Sequence, residues 1–83
     1  MPKLALYHYH GCFFCGMVRQ VLGNYDFDVE LRDTHENRDW QNELLEARGR
    51  RTVPVMRIES EDGSVEWMGE SRDIVAYLAT LAG

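Results

Sequence analysis

The run from Lys3 to Tyr9 constrains this chain more than any other segment. It is nearly continuous in apolar and aromatic residues, so a strand made from it needs cover on both faces. A strand of that kind belongs in the middle of a sheet. Helical spacing begins directly after it, with Phe14, Val18, Val21, Leu22 and Tyr25 on one stripe and Gly23-Asn24 as a stop signal. Phe27, Val29 and Leu31 then alternate with Asp28, Glu30 and Arg32, the period of a strand with one wet face, and so an edge strand.

Asp33 with Glu36 has the form of a capping box, and Trp40, Leu44, Leu45 and Ala47 give a second helical face ending at Gly49. After a basic corner of Arg48, Arg50 and Arg51, the segments Val53–Ile58 and Val65–Trp67 read as two strands joined through Glu61-Asp62-Gly63-Ser64, a strong hairpin signal. Ile74, Val75, Tyr77, Leu78 and Leu81 describe one face of a last helix. The predicted order is βαβαββα, an α/β fold. Right-handed crossover makes the first two strands parallel and adjacent, and the hairpin completes a mixed four-stranded sheet flanked by three helices.

Eighty-three residues make one small domain, residues 1–83, in which the core must be efficient. With 45% hydrophobic residues and no Ser/Gly/Pro-rich or single-charge tract, nothing suggests disorder or a linker. No apolar stretch is long enough to span a bilayer and no signal-peptide pattern opens the chain, so a cytoplasmic address is expected. A net charge of −5 argues against nucleic acid or an anionic membrane as partner.

The chemistry is carried by Cys12-Phe13-Phe14-Cys15, which holds both cysteines of the chain. The pair falls at a strand-to-helix junction, where the backbone N–H groups of the helix start favour a thiolate. Cys12 sits at that end and is the expected nucleophile; Cys15, one turn inside, is the expected resolving thiol. A structural disulfide closing so short a loop would remove little unfolded-state entropy. His8 and His10 lie close by, but their spacing does not fit a zinc site shared with the cysteines, and no bound metal is expected. His10 is instead a candidate to modulate the Cys12 thiolate when protonated. Phe14 is expected in the core and Phe13 exposed beside the thiol; Trp40, Trp67, Met17 and Met56 are read as packing residues. His35 carries no signal.

Two further segments bear on this site. In Thr52-Val53-Pro54 the proline stands where a central strand would begin, either as an ordinary trans residue or in a cis bond. The cis form would turn the Val53 backbone outward beside Cys12, where an extended peptide could pair with it. Gly69-Glu70-Ser71-Arg72-Asp73 opens the last helix. It is either a capped start with acidic residues suited to the dipole, or a site whose Ser71 and Arg72 N–H groups take a carboxylate while Glu70 or Asp73 takes an amine.

These three segments, in this order and over essentially the whole chain, resemble a glutaredoxin of the thioredoxin-fold superfamily. Cys12-Phe13-Phe14-Cys15 is similar to the Cys-Pro-Tyr-Cys dithiol, Thr52-Val53-Pro54 to the cis-proline motif, and Met68 to Asp73 to the Gly-Gly-x-x-Asp segment. Glu70-Ser71 also resembles the Glu-Ser motif of glutathione transferase N-terminal domains. The resemblance implies glutathione as co-substrate. Val53 would pair with its cysteinyl part, Ser71 and Arg72 N–H groups would bind the γ-glutamyl carboxylate, and Asp73 or Glu70 the amine. Thr52, Pro54 and Phe13 would complete the site.

The sequence departs from the pattern twice. Phe13 replaces the usual proline, which leaves the reduction potential open. Tyr9 stands where a lysine or arginine is common, so Arg51 and Arg50 become the candidates for the glycine carboxylate. The implied activity is glutathione-dependent reduction of protein disulfides and glutathionylated proteins, ribonucleotide reductase among the possible partners, by a monomer. The alternatives are a carrier holding a 2Fe-2S iron–sulfur cluster between two protomers through Cys12 and glutathione, as in some glutaredoxins lacking this proline, and a glutathione-binding module with little turnover.

Overall fold

The computed structural model describes residues 2–83. Its elements run β1 (Lys3–His8), α1 (Phe13–Leu22), β2 (Val29–Asp33), α2 (Arg38–Arg48), β3 (Val55–Glu59), β4 (Val65–Met68) and α3 (Ser71–Ala82). The four strands form one sheet in the order β2-β1-β3-β4, with β2 at one edge and β1 inside, as the sequence predicts. β1 pairs parallel with β2, Leu6 opposite Leu31, and antiparallel with β3, Leu6 opposite Met56. β3 pairs antiparallel with β4, closing the hairpin with Glu59 opposite Val65.

The sheet separates two cores, because successive side chains of β1 point to opposite faces. Leu4 and Leu6 join Met56 and Ile58 under α1 and α3, whose contributions are Val18, Ile74 and Leu78. On the other face Tyr7 and Val55 pack with Leu44 of α2, flanked by Trp40, Val53 and Trp67. Here the Tyr7 hydroxyl donates to Glu43, while Arg32 Nη1 donates to the Tyr7 oxygen at 2.6 Å and to Glu43 Oε1 at 2.7 Å. Burial first, then the Glu43 hydrogen bond, pushes the Tyr7 phenol up to about 12.

Several sequence expectations need correction. Helix α2 begins at Arg38, with Asn37 Oδ1 accepting from the Asp39 N–H at 2.9 Å. Asp33 Oδ1 caps the turn before it, accepting from the His35 and Glu36 N–H groups at 2.8 and 3.1 Å. β3 begins at Val55 rather than Val53, after the segment that holds Pro54, a residue without an N–H for the ladder. Phe14 and Met17, read as core and packing residues, are 55% and 43% exposed. The buried stripe of α1 runs through Cys15 and Val18 instead. Leu31 and Leu45 are exposed as well. On β2 the half-buried position past Val29 belongs to Arg32, held inward by Tyr7.

Candidate thiol site

The site is assembled where β1 runs out. Cys12 is the N-cap of α1, with extended backbone (φ −85°, ψ 120°), and its N–H donates to the Tyr9 carbonyl at 3.2 Å. Its sulfur accepts the Cys15 N–H at 3.3 Å, so a thiol does what a serine or aspartate does at an ordinary helix start. The Cys12 carbonyl takes the Gly16 N–H at 3.0 Å and starts the helix ladder. Cys12 is half-buried, whereas Cys15 is completely buried. Burial, reinforced by the hydrogen bond to Cys12, pushes the Cys15 thiol up to about 12. The two thiols therefore differ in access although one helical turn separates them.

The Val53–Pro54 bond is cis, and the Val53 carbonyl oxygen lies 4.0 Å from Cys12 Sγ, within reach of a weak S–H donor. Phe14, Thr52, Val53, Pro54, Gly69, Glu70 and Ser71 line a groove of about 200 Å³ beside it. Glu70 is the N-cap of α3 but makes no capping hydrogen bond with its side chain, and its carbonyl accepts from Ile74 at 2.9 Å. Ser71 is the first helical residue, so the N–H groups at the start of α3 open toward this end of the molecule.

The fold thus brings Thr52, Val53, Pro54, Glu70 and Ser71 to one groove and Val53 to Cys12. Arg72 and Asp73 follow in the first turn of α3, exposed and outside the groove lining, and Arg50 and Arg51 are exposed in the connection before β3. Phe13 is 75% exposed and meets the Phe14 ring edge to face, with centroids 5.4 Å apart. Phe14, absent from the sequence candidates for this site, is a wall of the groove.

Tyr9 serves through its backbone, which anchors Cys12, while its ring stacks flat on His35 at 3.9 Å. That stack gives His35 a partner that no short-range signal reveals. His10 Nε2 lies 3.7 Å from Asp33 Oδ2. Ligand atoms of His10, Asp33 and Glu36 come within 4.8 Å of one another; neither cysteine belongs to that group.

With this geometry in place, the chain can be set beside known proteins. A family model described as the N-terminal domain of glutathione S-transferase matches residues 6–83. The chain belongs to that family. No curated protein matches it. Among solved structures, a glutathione transferase homologue from Drosophila mojavensis with bound glutathione is 21% identical, with a TM-score of 0.78 over 100% of this chain and 36% of that one. Glutaredoxin 2 from Salmonella typhimurium, in complex with glutathione, is 29% identical, with a TM-score of 0.75 over 100% of this chain and 35% of that one. A glutaredoxin from Brucella melitensis is 20% identical, with a TM-score of 0.62 over 99% of this chain and 89% of that one.

This glutathione S-transferase N-terminal domain thus spans about a third of the length of the first two structures. Its βαβαββα order and mixed sheet are those of the thioredoxin/glutaredoxin and glutathione transferase superfamily. Among the described residues no helix is long and apolar enough to cross a membrane.

Proposed function

We propose that this domain is a glutathione-dependent thiol–disulfide oxidoreductase acting on glutathionylated proteins and protein disulfides. The observation that carries the reading is the asymmetry of the cysteines: a half-buried Cys12 sulfur at the helix N-cap, accepting an amide N–H, above a fully buried Cys15. The helix N-terminus and the Cys15 N–H place partial positive charge where a thiolate carries its negative charge.

In the cycle, the Cys12 thiolate attacks the glutathione sulfur of a mixed disulfide, and the protein thiolate leaves and takes up a proton. The resulting Cys12–glutathione disulfide is then opened by the thiolate of a second glutathione, giving oxidised glutathione and the starting enzyme, or by Cys15. Positioning falls to the groove. The Val53 backbone pairs with the cysteinyl part of glutathione, the Ser71 and Arg72 N–H groups receive the γ-glutamyl carboxylate, and Glu70 or Asp73 receives the amine. Arg51, with Arg50, supplies charge for the glycine carboxylate, and Thr52, Pro54, Tyr9 and Phe13 shape the surroundings of the thiol.

Glutathione in the crystal structure of the Salmonella glutaredoxin 2, 29% identical over the whole of this chain, supports the choice of co-substrate. Isothermal titration with glutathione tests the binding half of this reading directly. Saturable binding weakened in Glu70→Ala supports it, and no binding by the reduced wild type would overturn it.

A further inference from the structure

Behind the thiols lies a pair of titratable groups that this cycle does not use. His8, at the end of β1, is 2% exposed, and Arg19, on the second turn of α1, donates from Nη1 to His8 Nδ1 at 3.0 Å and to the Tyr9 carbonyl at 3.4 Å. Because Nδ1 accepts, His8 is the neutral tautomer with its proton on Nε2. Burial, helped by the nearby Arg19 charge, holds its pKa below the ordinary histidine value. The positive charge of the pair therefore rests on Arg19.

Among the described residues no carboxylate forms an ion pair with that charge, although Asp33 and Glu36 act on the adjoining His8 through space. Asp33 faces His10 and the His35 and Glu36 amides, and Glu30 and Glu43 are engaged by Arg32. A guanidinium drawn into a protein is normally matched by an ionised partner. Arg19 stands four residues after Cys15, one turn along the same helical face. Its guanidinium folds back along α1, so that a Cβ at Gly16 would lie 3.6 Å from Nη2. The Tyr9 carbonyl that holds it also holds the Cys12 N–H, and the Arg19 charge works against burial to favour the Cys15 thiolate.

We propose that Arg19 is a positioning residue for the second half of the cycle, the counter-ion of the Cys15 thiolate, held in place by neutral His8 and the Tyr9 carbonyl. The inference rests on the reading of Cys12 and Cys15 as a redox dithiol. In the step concerned, the Cys15 thiolate attacks Cys12 Sγ of the Cys12–glutathione disulfide. The Cys12–Cys15 bond forms, the bond to glutathione breaks, and glutathione leaves as a thiolate that takes up the proton Cys15 released. No further oxidant or reductant enters. Resolution by a second glutathione never ionises Cys15, so Arg19 sets how the adduct divides between the two routes.

The test loads reduced full-length protein with one equivalent of oxidised glutathione and follows release of glutathione from the Cys12 adduct in wild type, Arg19→Gln and Arg19→Lys. Arg19→Gln should slow release about tenfold or more, the size of one unit charge acting at an effective dielectric near 20. Arg19→Lys, which keeps the charge, should stay within about threefold of wild type. In a Cys15→Ser background, Arg19→Gln should leave turnover by the second glutathione within about threefold, as expected for a charge that serves only Cys15. Release from Arg19→Gln at the wild-type rate, or equal losses in Arg19→Lys and Arg19→Gln, or equal losses by both routes, would overturn the inference and leave the oxidoreductase reading in place. A wild type that forms no adduct would overturn both.

Discussion

Of two concavities on the described surface, the larger is the less equipped for chemistry. It holds about 790 Å³ over the half of the sheet that α2 leaves uncovered, with Ala5 at its floor and Lys3, Asp28, Glu30, Arg32, Arg57 and Glu59 around it. Four of its charged residues are already engaged: Arg32 with Glu30, and with Glu43 outside it, and Arg57 with Glu59 at 3.0 Å and over Trp67. The smaller groove, about 200 Å³, has none of this. Among the described residues, no side chain lining it makes a hydrogen bond or ion pair. Polar groups already committed to each other suit a solvated sheet face; uncommitted ones beside a helix start and a half-buried thiol are what the proposed glutathione site requires.

The comparison can be broken from either side. Glu70→Ala should raise the KM for glutathione about tenfold or more, the scale of a hydrogen bond to a charged group, with a smaller change in kcat. An unchanged KM in steady-state assays would remove Glu70 from the ammonium site. Arg51→Ala should raise the same KM several-fold and leave kcat nearly intact, since it removes binding shared by ground and transition states. Equal loss in kcat would assign Arg51 to the chemical step.

Stability against pH separates the thiol end from the rest of the sheet. The folded state holds His8 below its ordinary value of 6.5, so the unfolded chain binds the proton first and stability falls as pH drops below about 6.5. It holds Cys15 up to about 12, so stability also falls as pH rises past the ordinary thiol value of 9.0, where unfolded Cys15 ionises first. Thermal melts of Cys15→Ala should lose the part of the alkaline decline that begins near pH 9.0 and keep the part that Tyr7, also held up to about 12, adds above its ordinary 10.0; a curve parallel to wild type would contradict the assignment.

The smallest effect is expected in the larger cleft. Arg57→Ala should change stability by only about 1 kcal/mol or less, as ion pairs at a partly exposed surface do, and should leave glutathione KM within about twofold. A KM shift as large as that of Glu70→Ala would turn the comparison over.

Much of this was legible from local pattern. The strand run before Cys12, the hairpin turn at Asp62-Gly63 and the helix stop at Gly49 follow from residue periods and turn chemistry, and the structure places them accordingly. Gly49, at φ 74°, is the left-handed cap such a stop requires. What failed shares one cause. Spacing tells which residues lie on a common face, but not which of them at its margin the core covers: the first turn of α1 buries Cys15 completely and leaves Phe14, expected inward, 55% exposed at the groove. Asp33 and Asn37 both offer a side-chain oxygen to following amides, and only the path of the chain decides that the second starts α2. Arg19 with His8, and Tyr9 with His35, are contacts between elements that no local window contains.

The central claim is that Cys12 alone performs the exchange and Cys15 modifies its course. The direct measurement is reduction of a glutathionylated peptide, coupled to glutathione and glutathione reductase, by wild type, Cys12→Ser and Cys15→Ser. Turnover abolished in Cys12→Ser and retained in Cys15→Ser is the predicted result. Equal loss in both variants, or turnover that survives Cys12→Ser, would contradict it.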